Sequence, residues 1–125
     1  MKVDLIHKEE VYDIIGLCME VHRELGRGFS EIVYKDAIEY ECKQNEYLYE
    51  REKEYLVYYK DIILPHKYFS DFIVFYKIIL EVKSCEGIVE EHIGQVLNYL
   101  AASELKVGLI VNFGKKSLEY KRVVL

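Results

Sequence analysis

Residues 71–83 are typical of a β-hairpin, and this stretch constrains the fold more than any other part of the chain. Two apolar runs, residues 72–74 and 78–80, flank the three residues 75–77. Short runs rich in Ile, Val and Phe with a brief break between them indicate two antiparallel strands joined by a turn. We therefore expect the other strands and helices to be arranged around this hairpin.

The length of the turn decides which side chains of the hairpin share a face. With a three-residue loop, Val74 lies opposite Ile78, and counting outward places Asp71 opposite Glu81, with Cβ atoms about 5 Å apart. Because side chains alternate along a strand, Lys83 then joins Glu81 on that face. A two-residue loop would shift the register and send the two acids to opposite faces. We predict the three-residue loop.

Two neighbouring carboxylates repel each other, so folding alone gives no reason to bring Asp71 and Glu81 together. A divalent cation removes this conflict, because hard ions such as Mg²⁺ take carboxylate oxygens as ligands. A lysine beside such an ion can hold and polarise an attacking water or contact a phosphate oxygen. The simpler alternative is an exposed hairpin end with a Glu–Lys pair, since short motifs recur by chance. The flanking apolar runs favour the first interpretation, because they indicate buried strands that deliver the charges.

Length and composition are those of an ordinary soluble globular protein. With 125 residues, 51% of them hydrophobic and 31% charged, we expect one domain over residues 1–125 with a substantial core. No apolar run approaches the ~20 residues that span a bilayer, and the N-terminus lacks the apolar core of a signal peptide. The cysteines at positions 18, 42 and 85 fit neither a disulfide framework nor a zinc knuckle, so we expect a reducing cytoplasm.

The formal net charge of −5 argues against a protein that binds nucleic acid through a broad basic surface. It does not exclude nucleic acid as a substrate, because acidic residues gathered at a metal site contribute to the negative total. Residues 115–116 and 121–122 are two short basic pairs. Together they are enough for a modest local patch, but by themselves both pairs are best interpreted as solvated surface.

Helical and extended patterns on either side of the hairpin predict the order α-α-β-β-β-α-β-β. This is an α/β fold with a mixed sheet flanked by helices. The predicted helices are one ending at Gly26, one with Ser30 as its N-cap that ends near Asn45, and one from about Glu90. The predicted strands cover 50–59, 78–83, 107–112 and 118–124. After a turn at Lys60-Asp61, a return strand begins at Ile62 and runs into the hairpin with an irregularity at Pro65-His66.

Two polar residues on the predicted helices are further candidates for a site. Glu31 lies in the first turn of the second helix, where interaction with the helix dipole alone is worth up to about 1 kcal/mol. It is equally placed to point over the sheet at a metal ion. Gln95 flanks the apolar stripe of the third helix and is placed to reach the hairpin end. Its simpler interpretation is an ordinary residue at the helix–sheet boundary.

In chain order, these residues resemble the PD-(D/E)XK nuclease superfamily. The matching pattern is Glu31 on an early helix, Asp71, then Glu81-x-Lys83 on the next strand and Gln95 on the following helix. More narrowly, Gly28-x-x-Glu31-x-x-Tyr34 resembles the signature of the small GxxExxY proteins placed in that superfamily. The other matching pieces are Tyr68-x-x-Asp71-Phe-Ile-Val, His92-x-x-Gln95-x-Leu-Asn98-Tyr99-Leu100, Gly108-Leu-Ile-Val-Asn112-Phe-Gly114 and Lys121-Arg122.

The resemblance implies a restriction-endonuclease-like core in which the hairpin carries the site. Asp71 and Glu81 would be metal ligands, joined by the carbonyl of Val82, and Glu31 would complete the acidic cluster. One departure is Ser70, which stands where the superfamily commonly has a proline before the aspartate.

The remaining carried-over roles concern catalysis. Lys83 would orient the hydrolytic water and stabilise developing charge, and Gln95 would position Lys83 or a substrate phosphate. With Glu31, Asp71 and Glu81, these residues form the expected catalytic set.

The resemblance therefore implies a nuclease that depends on Mg²⁺ or Mn²⁺ and hydrolyses phosphodiester bonds, with DNA as the first expected substrate. The alternative is a catalytically weak or inactive nuclease-like domain that serves as an accessory module for binding nucleic acid or protein. The third interpretation is a structural domain in which these motifs occur by chance. We expect a cytoplasmic protein without a membrane partner, and a homodimer is one way for so small a domain to act.

Overall fold

The computed structural model describes residues 5–125, with helices on both faces of a five-stranded sheet. Residues 1–4 lie outside the described residues, and with them the start of the segment for which no signal peptide is expected. Within residues 5–125, none of the helices pairs the length with the apolar character that a bilayer crossing requires. The elements are α1 (Lys8–Leu25), α2 (Glu31–Gln44), β1 (Tyr49–Tyr55), β2 (Tyr58–Tyr59), β3 (Ile62–Ile63), β4 (Tyr68–Val74), β5 (Ile78–Lys83), α3 (Glu90–Ser103), β6 (Val107–Asn112) and β7 (Glu119–Val124).

The strand order in the main sheet is β1-β4-β5-β6-β7. β5 and β6 are parallel, and the other neighbouring pairs are antiparallel. Parallel neighbours need a crossover connection, which α3 supplies between β5 and β6. The predicted α/β fold with a mixed sheet flanked by helices is therefore confirmed.

The central hairpin has the predicted register. β4 and β5 pair Val74 with Ile78 and Phe72 with Leu80, which leaves residues 75–77 as the loop. Phe75 and Tyr76 have φ values of 59° and 57°, the left-handed conformation that tight hairpin turns demand. The N–H of Lys77 donates to the carbonyl of Val74. These two left-handed residues and this hydrogen bond close the three-residue loop.

The segment before the hairpin differs from the prediction. We expected one strand over residues 50–59 and a return strand running into the hairpin, but β1 ends at Tyr55. β2 and β3 form a separate two-stranded ribbon, joined at the predicted turn over Lys60 and Asp61. Pro65, which has no N–H to donate, lies between this ribbon and β4. The observed order is therefore α-α-β-β-β-β-β-α-β-β.

The apolar core lies in two layers, one on each face of the sheet. α1 and α2 pack on one face against Phe72, Leu80 and Val82, and α3 packs on the other against Ile79 and Ile110. Every residue of β6 is buried, and β5 is buried up to Lys83. Strands covered on both faces have continuous apolar runs, which is why these two segments lack alternation. The polar residues at the end of β5 therefore lie in the middle of the sheet.

The seating of α3 on the sheet depends on a close approach at Gly108. A Cβ added to Gly108 would clash with Cγ1 of Val96, whereas a Cβ added to Gly94 within α3 would meet nothing within 4 Å. We expect Gly108→Ala to lower the free energy of unfolding by about 1–3 kcal/mol through overpacking. Gly94→Ala, the control, should raise it by up to about 1 kcal/mol. Urea unfolding measures both, and equal effects would contradict the close approach.

Candidate active site

The carboxylates of Asp71 and Glu81 each accept a backbone N–H from the opposite strand at the end of the hairpin. The backbone N–H of Asp71 donates to Oε1 of Glu81 at 2.8 Å, and the backbone N–H of Val82 donates to Oδ2 of Asp71 at 2.8 Å. Each carboxylate thus takes an N–H from the opposite strand just beyond the paired residues Phe72 and Leu80. The structure brings these two predicted site residues together and fixes both through the backbone.

Burial makes this acidic pair electrostatically costly. Only 3% of the surface of Glu81 is exposed, and Asp71 is half-buried. Burial, together with the nearby charge of Asp71, raises the pKa of the Glu81 carboxyl to about 8. Near neutral pH this carboxyl therefore needs a proton or a cation to balance it.

Lys83 and Gln95 meet beside the acidic pair. Nζ of Lys83 donates to Oε1 of Gln95 at 3.3 Å. Tyr99 lies one turn further along α3, where burial and the charges of Glu81 and Asp71 raise the pKa of its phenol. α3 thus presents an amide and a phenol to the end of the hairpin.

Lys35 is a site residue that sequence reasoning missed. Its Nζ lies 3.0 Å from Oδ1 of Asp71 and also contacts the carboxylate of Glu52. Burial alone would lower the pKa of Lys35, but the hydrogen bonds to Glu52 and Asp71 outweigh it and raise the pKa. The ammonium therefore stays charged in a position where only 9% of the residue is exposed. The available signal was the spacing from Glu31, since residues four apart share a helix face.

An irregularity in β1 brings Glu52 to this lysine. Tyr49 and Arg51 both contact Glu39 of α2, yet Tyr55, an even number of residues further on, packs in the cluster beneath α3. A regular strand would keep all three on one face. Glu52 lies between them with φ of 55°, a conformation that few residues other than glycine adopt. No sequence pattern marks such a change of face.

Glu31 is the first residue of α2 and is exposed. Within residues 5–125, no group of three or more His, Cys, Asp or Glu side chains is arranged so that it could hold a metal ion. The geometry thus joins Asp71 and Glu81 without a third acidic side chain. The metal-binding roles of Glu31 and of the Val82 carbonyl stay predictions.

The loops around the site are tied together by a buried asparagine. Oδ1 of Asn112 accepts the backbone N–H groups of Cys85 and Gly114, each at 3.0 Å. Its Nδ2 donates to the carbonyl of Cys85 and to the carboxylate of Glu119. A Cβ on Gly114 would collide with the backbone of Cys85. These residues therefore hold the loop that follows Lys83, which explains the Asn112-Phe-Gly114 piece of the pattern structurally.

The donor set of the acidic pair fits a divalent cation. Carboxylate oxygens are the ligands that Mg²⁺ and Mn²⁺ prefer. Oε1 of Glu81 is engaged by the N–H of Asp71, and within residues 5–125 no protein hydrogen bond is made to Oε2. An ion would also balance the charges that burial brings together.

The mixed sheet, its flanking helices and the acidic hairpin define an α/β domain with the restriction-endonuclease-like fold. A family model described as the PD-(D/E)XK nuclease superfamily matches residues 8–123. The chain belongs to the PD-(D/E)XK nuclease superfamily. Nucleases of this superfamily generally use divalent metal ions such as Mg²⁺.

A solved structure shows the same fold. The crystal structure of SSO0001 is similar to this chain with a TM-score of 0.61 and 20% sequence identity. The similarity covers 94% of this chain and 59% of the SSO0001 chain, so this chain corresponds to only part of that protein. No curated protein matches this chain.

The raised pKa of Glu81 predicts how stability depends on pH without divalent ions. Since the pKa rises from an ordinary value of 4.5 to about 8 on folding, the stability present below pH 4.5 should be lost as pH rises towards 8. The loss is at most about 1.4 kcal/mol per pKa unit. Glu81→Gln, which keeps an acceptor for the Asp71 N–H, should flatten this dependence.

Urea unfolding in EDTA at pH 5 and pH 8 measures this effect. Glu91→Gln, on an exposed position of α3, is the matched control and should keep the wild-type pH dependence. If Glu81→Gln kept the wild-type pH dependence, the Glu81 carboxyl would not have a raised pKa in the folded protein.

Proposed function

We propose that this protein is a nuclease that uses Mg²⁺ or Mn²⁺ to hydrolyse phosphodiester bonds, with DNA as its expected substrate. The observation that carries the proposal is that backbone N–H groups of the opposite strand hold the carboxylates of Asp71 and Glu81 side by side in a largely buried position, although the two repel each other. Membership of the superfamily supports the reaction class.

In this proposal Asp71 and Glu81 hold the metal ion, with the Val82 carbonyl and Glu31 as further ligands. The ion, when bound, supplies a Lewis acid and activates water. The backbone hydrogen bonds fix one oxygen of each carboxylate. The oxygens left for the ion are then Oε2 of Glu81 and Oδ1 of Asp71, which also faces the ammonium of Lys35. Such fixation reduces the motion that ligands lose when an ion binds.

Lys83 would hold the attacking water and stabilise charge on the phosphate. A lysine ammonium has three donors, and the Gln95 amide takes one of them at 3.3 Å. Gln95 would thus act as a positioning residue for Lys83 or contact the phosphate itself.

We also propose that the chain belongs to the GxxExxY group. Gly28 has φ of 116°, which favours glycine. The hydroxyl of Tyr34 donates to the carbonyl of Gly26 at 2.6 Å, and its ring stacks on Phe113. Two of the three signature residues therefore shape the turn before α2. The third, Glu31, is exposed at the first residue of α2.

The second candidate is an accessory module that binds nucleic acid or protein without cleaving it. The observation that favours it is the two-carboxylate site, which lacks a third acidic side chain within the described part of the chain. If the protein is such a module, Asp71→Ala should leave partner binding intact.

Three further predictions from the sequence stay proposals: one domain over residues 1–125, a cytoplasmic location and a homodimer.

Lys83→Ala should separate catalysis from metal binding. We expect metal-dependent cleavage of linear, single-stranded and branched DNA to fall at least ~100-fold, while Mn²⁺ binding by calorimetry persists. Lys77→Ala is the matched control, because Lys77 lies at the turn end of the same hairpin and pairs with Glu10 at 3.0 Å. The nuclease proposal fails if wild-type protein binds no Mn²⁺ even with DNA present.

Glu31→Gln should weaken Mn²⁺ binding if this side chain completes the ligand set. We expect about tenfold lower affinity by calorimetry, the range found when a supporting group of a metal site is lost. Glu24→Gln, on the exposed surface of α1, serves as the control. Equal affinity in the two variants would remove Glu31 from the site.

A further inference from the structure

Lys35 places a buried positive charge against the Asp71 member of the acidic pair. It reaches there from α2, on the face of the sheet opposite to α3, and is nine-tenths buried. Its ammonium lies 3.0 Å from Oδ1 of Asp71. Within residues 5–125, the ion-pair partners of its ammonium are Asp71 and Glu52.

Both oxygens of Asp71 are engaged. Oδ2 accepts the N–H of Val82, and Oδ1 faces the ammonium of Lys35. Oδ1 is therefore the oxygen that an incoming ion would have to share with Lys35. Two cations on one oxygen repel strongly, because the interaction of charges grows as their separation falls and as water is excluded.

Lys35 has a second anionic partner within reach. Its ammonium already contacts the carboxylate of Glu52, whose side chain is 54% exposed against 17% for Asp71. The long, flexible stem of lysine allows the ammonium to move between two such partners. The unusual backbone conformation of Glu52, with φ of 55°, is what aims this carboxylate at Lys35.

We infer that Lys35 is an internal cation that neutralises Asp71 in the metal-free protein and shifts to Glu52 when a divalent ion binds. The inference rests on the proposed metal-dependent function, and it makes Lys35 a positioning residue for Asp71. Metal affinity is then set by a competition between the ion and the ammonium, with Glu52 favouring the ion.

This arrangement predicts effects of opposite sign for the two partners of one ion pair. Lys35→Met removes the competitor and should tighten Mn²⁺ binding about tenfold. Glu52→Gln removes the alternative partner and should weaken Mn²⁺ binding. Lys35→Arg keeps the charge and should stay close to wild type. A merely structural ion pair would instead make both Lys35→Met and Glu52→Gln weaken binding.

The experiment is titration calorimetry with Mn²⁺ on the wild type, Lys35→Met, Lys35→Arg, Glu52→Gln and Glu81→Gln. Melting temperatures with EDTA and with Mn²⁺ give a second readout. Lys35→Met should melt lower than the wild type in EDTA and gain more from Mn²⁺. Glu52→Gln changes a half-exposed side chain, so it keeps the test decisive even where Lys35→Met does not fold.

The outcomes separate this inference from the function it rests on. Binding that is lost in Glu81→Gln but unchanged or weaker in Lys35→Met overturns the inference alone, as does unchanged or tighter binding in Glu52→Gln. Absence of Mn²⁺ binding in both the wild type and Lys35→Met overturns the metal-dependent function and the inference with it.

Discussion

The site depends on two hydrogen bonds by which backbone N–H groups of β4 and β5 hold the carboxylates of Glu81 and Asp71. Beyond the paired residues Phe72 and Leu80, the two carboxylates accept the backbone N–H groups that the opposite strand presents. The acids are therefore part of the end of the hairpin rather than additions to its surface. Because β5 lies in the middle of the sheet with neighbours on both sides, they are carried by one of the least mobile parts of the fold.

The charges at this place balance in more than one way. Burial raises the pKa of Glu81 to about 8, so a proton can satisfy this carboxyl, while the ammonium of Lys35 satisfies Asp71. A divalent ion would replace both. Perturbed pKa values of this kind cluster at functional sites, and the chain belongs to a nuclease superfamily.

The sequence predicted the hairpin well because two signals agreed there: apolar runs of strand length, and a loop length that fixed Asp71 opposite Glu81. The β5–α3–β6 unit followed from periodicity and from a continuous apolar run. Lys35 was missed because a lysine on an amphipathic helix is usually solvated. The change of face along β1 at Glu52 could not be predicted, since a left-handed backbone conformation at a glutamate leaves no pattern in the residues around it. The β2–β3 ribbon was merged with its neighbours because its strands are only two residues long.

The sequence separation of the contacts bears on the order in which the site assembles. Asp71 and Glu81 are ten residues apart and join within one hairpin. Lys35 lies on α2, and β1 and the β2–β3 ribbon separate it from Asp71 along the chain. Contacts between residues far apart in sequence cost more chain entropy and form later. In kinetic terms, we expect an early stage of folding in which the hairpin has closed but its acids lack the ammonium.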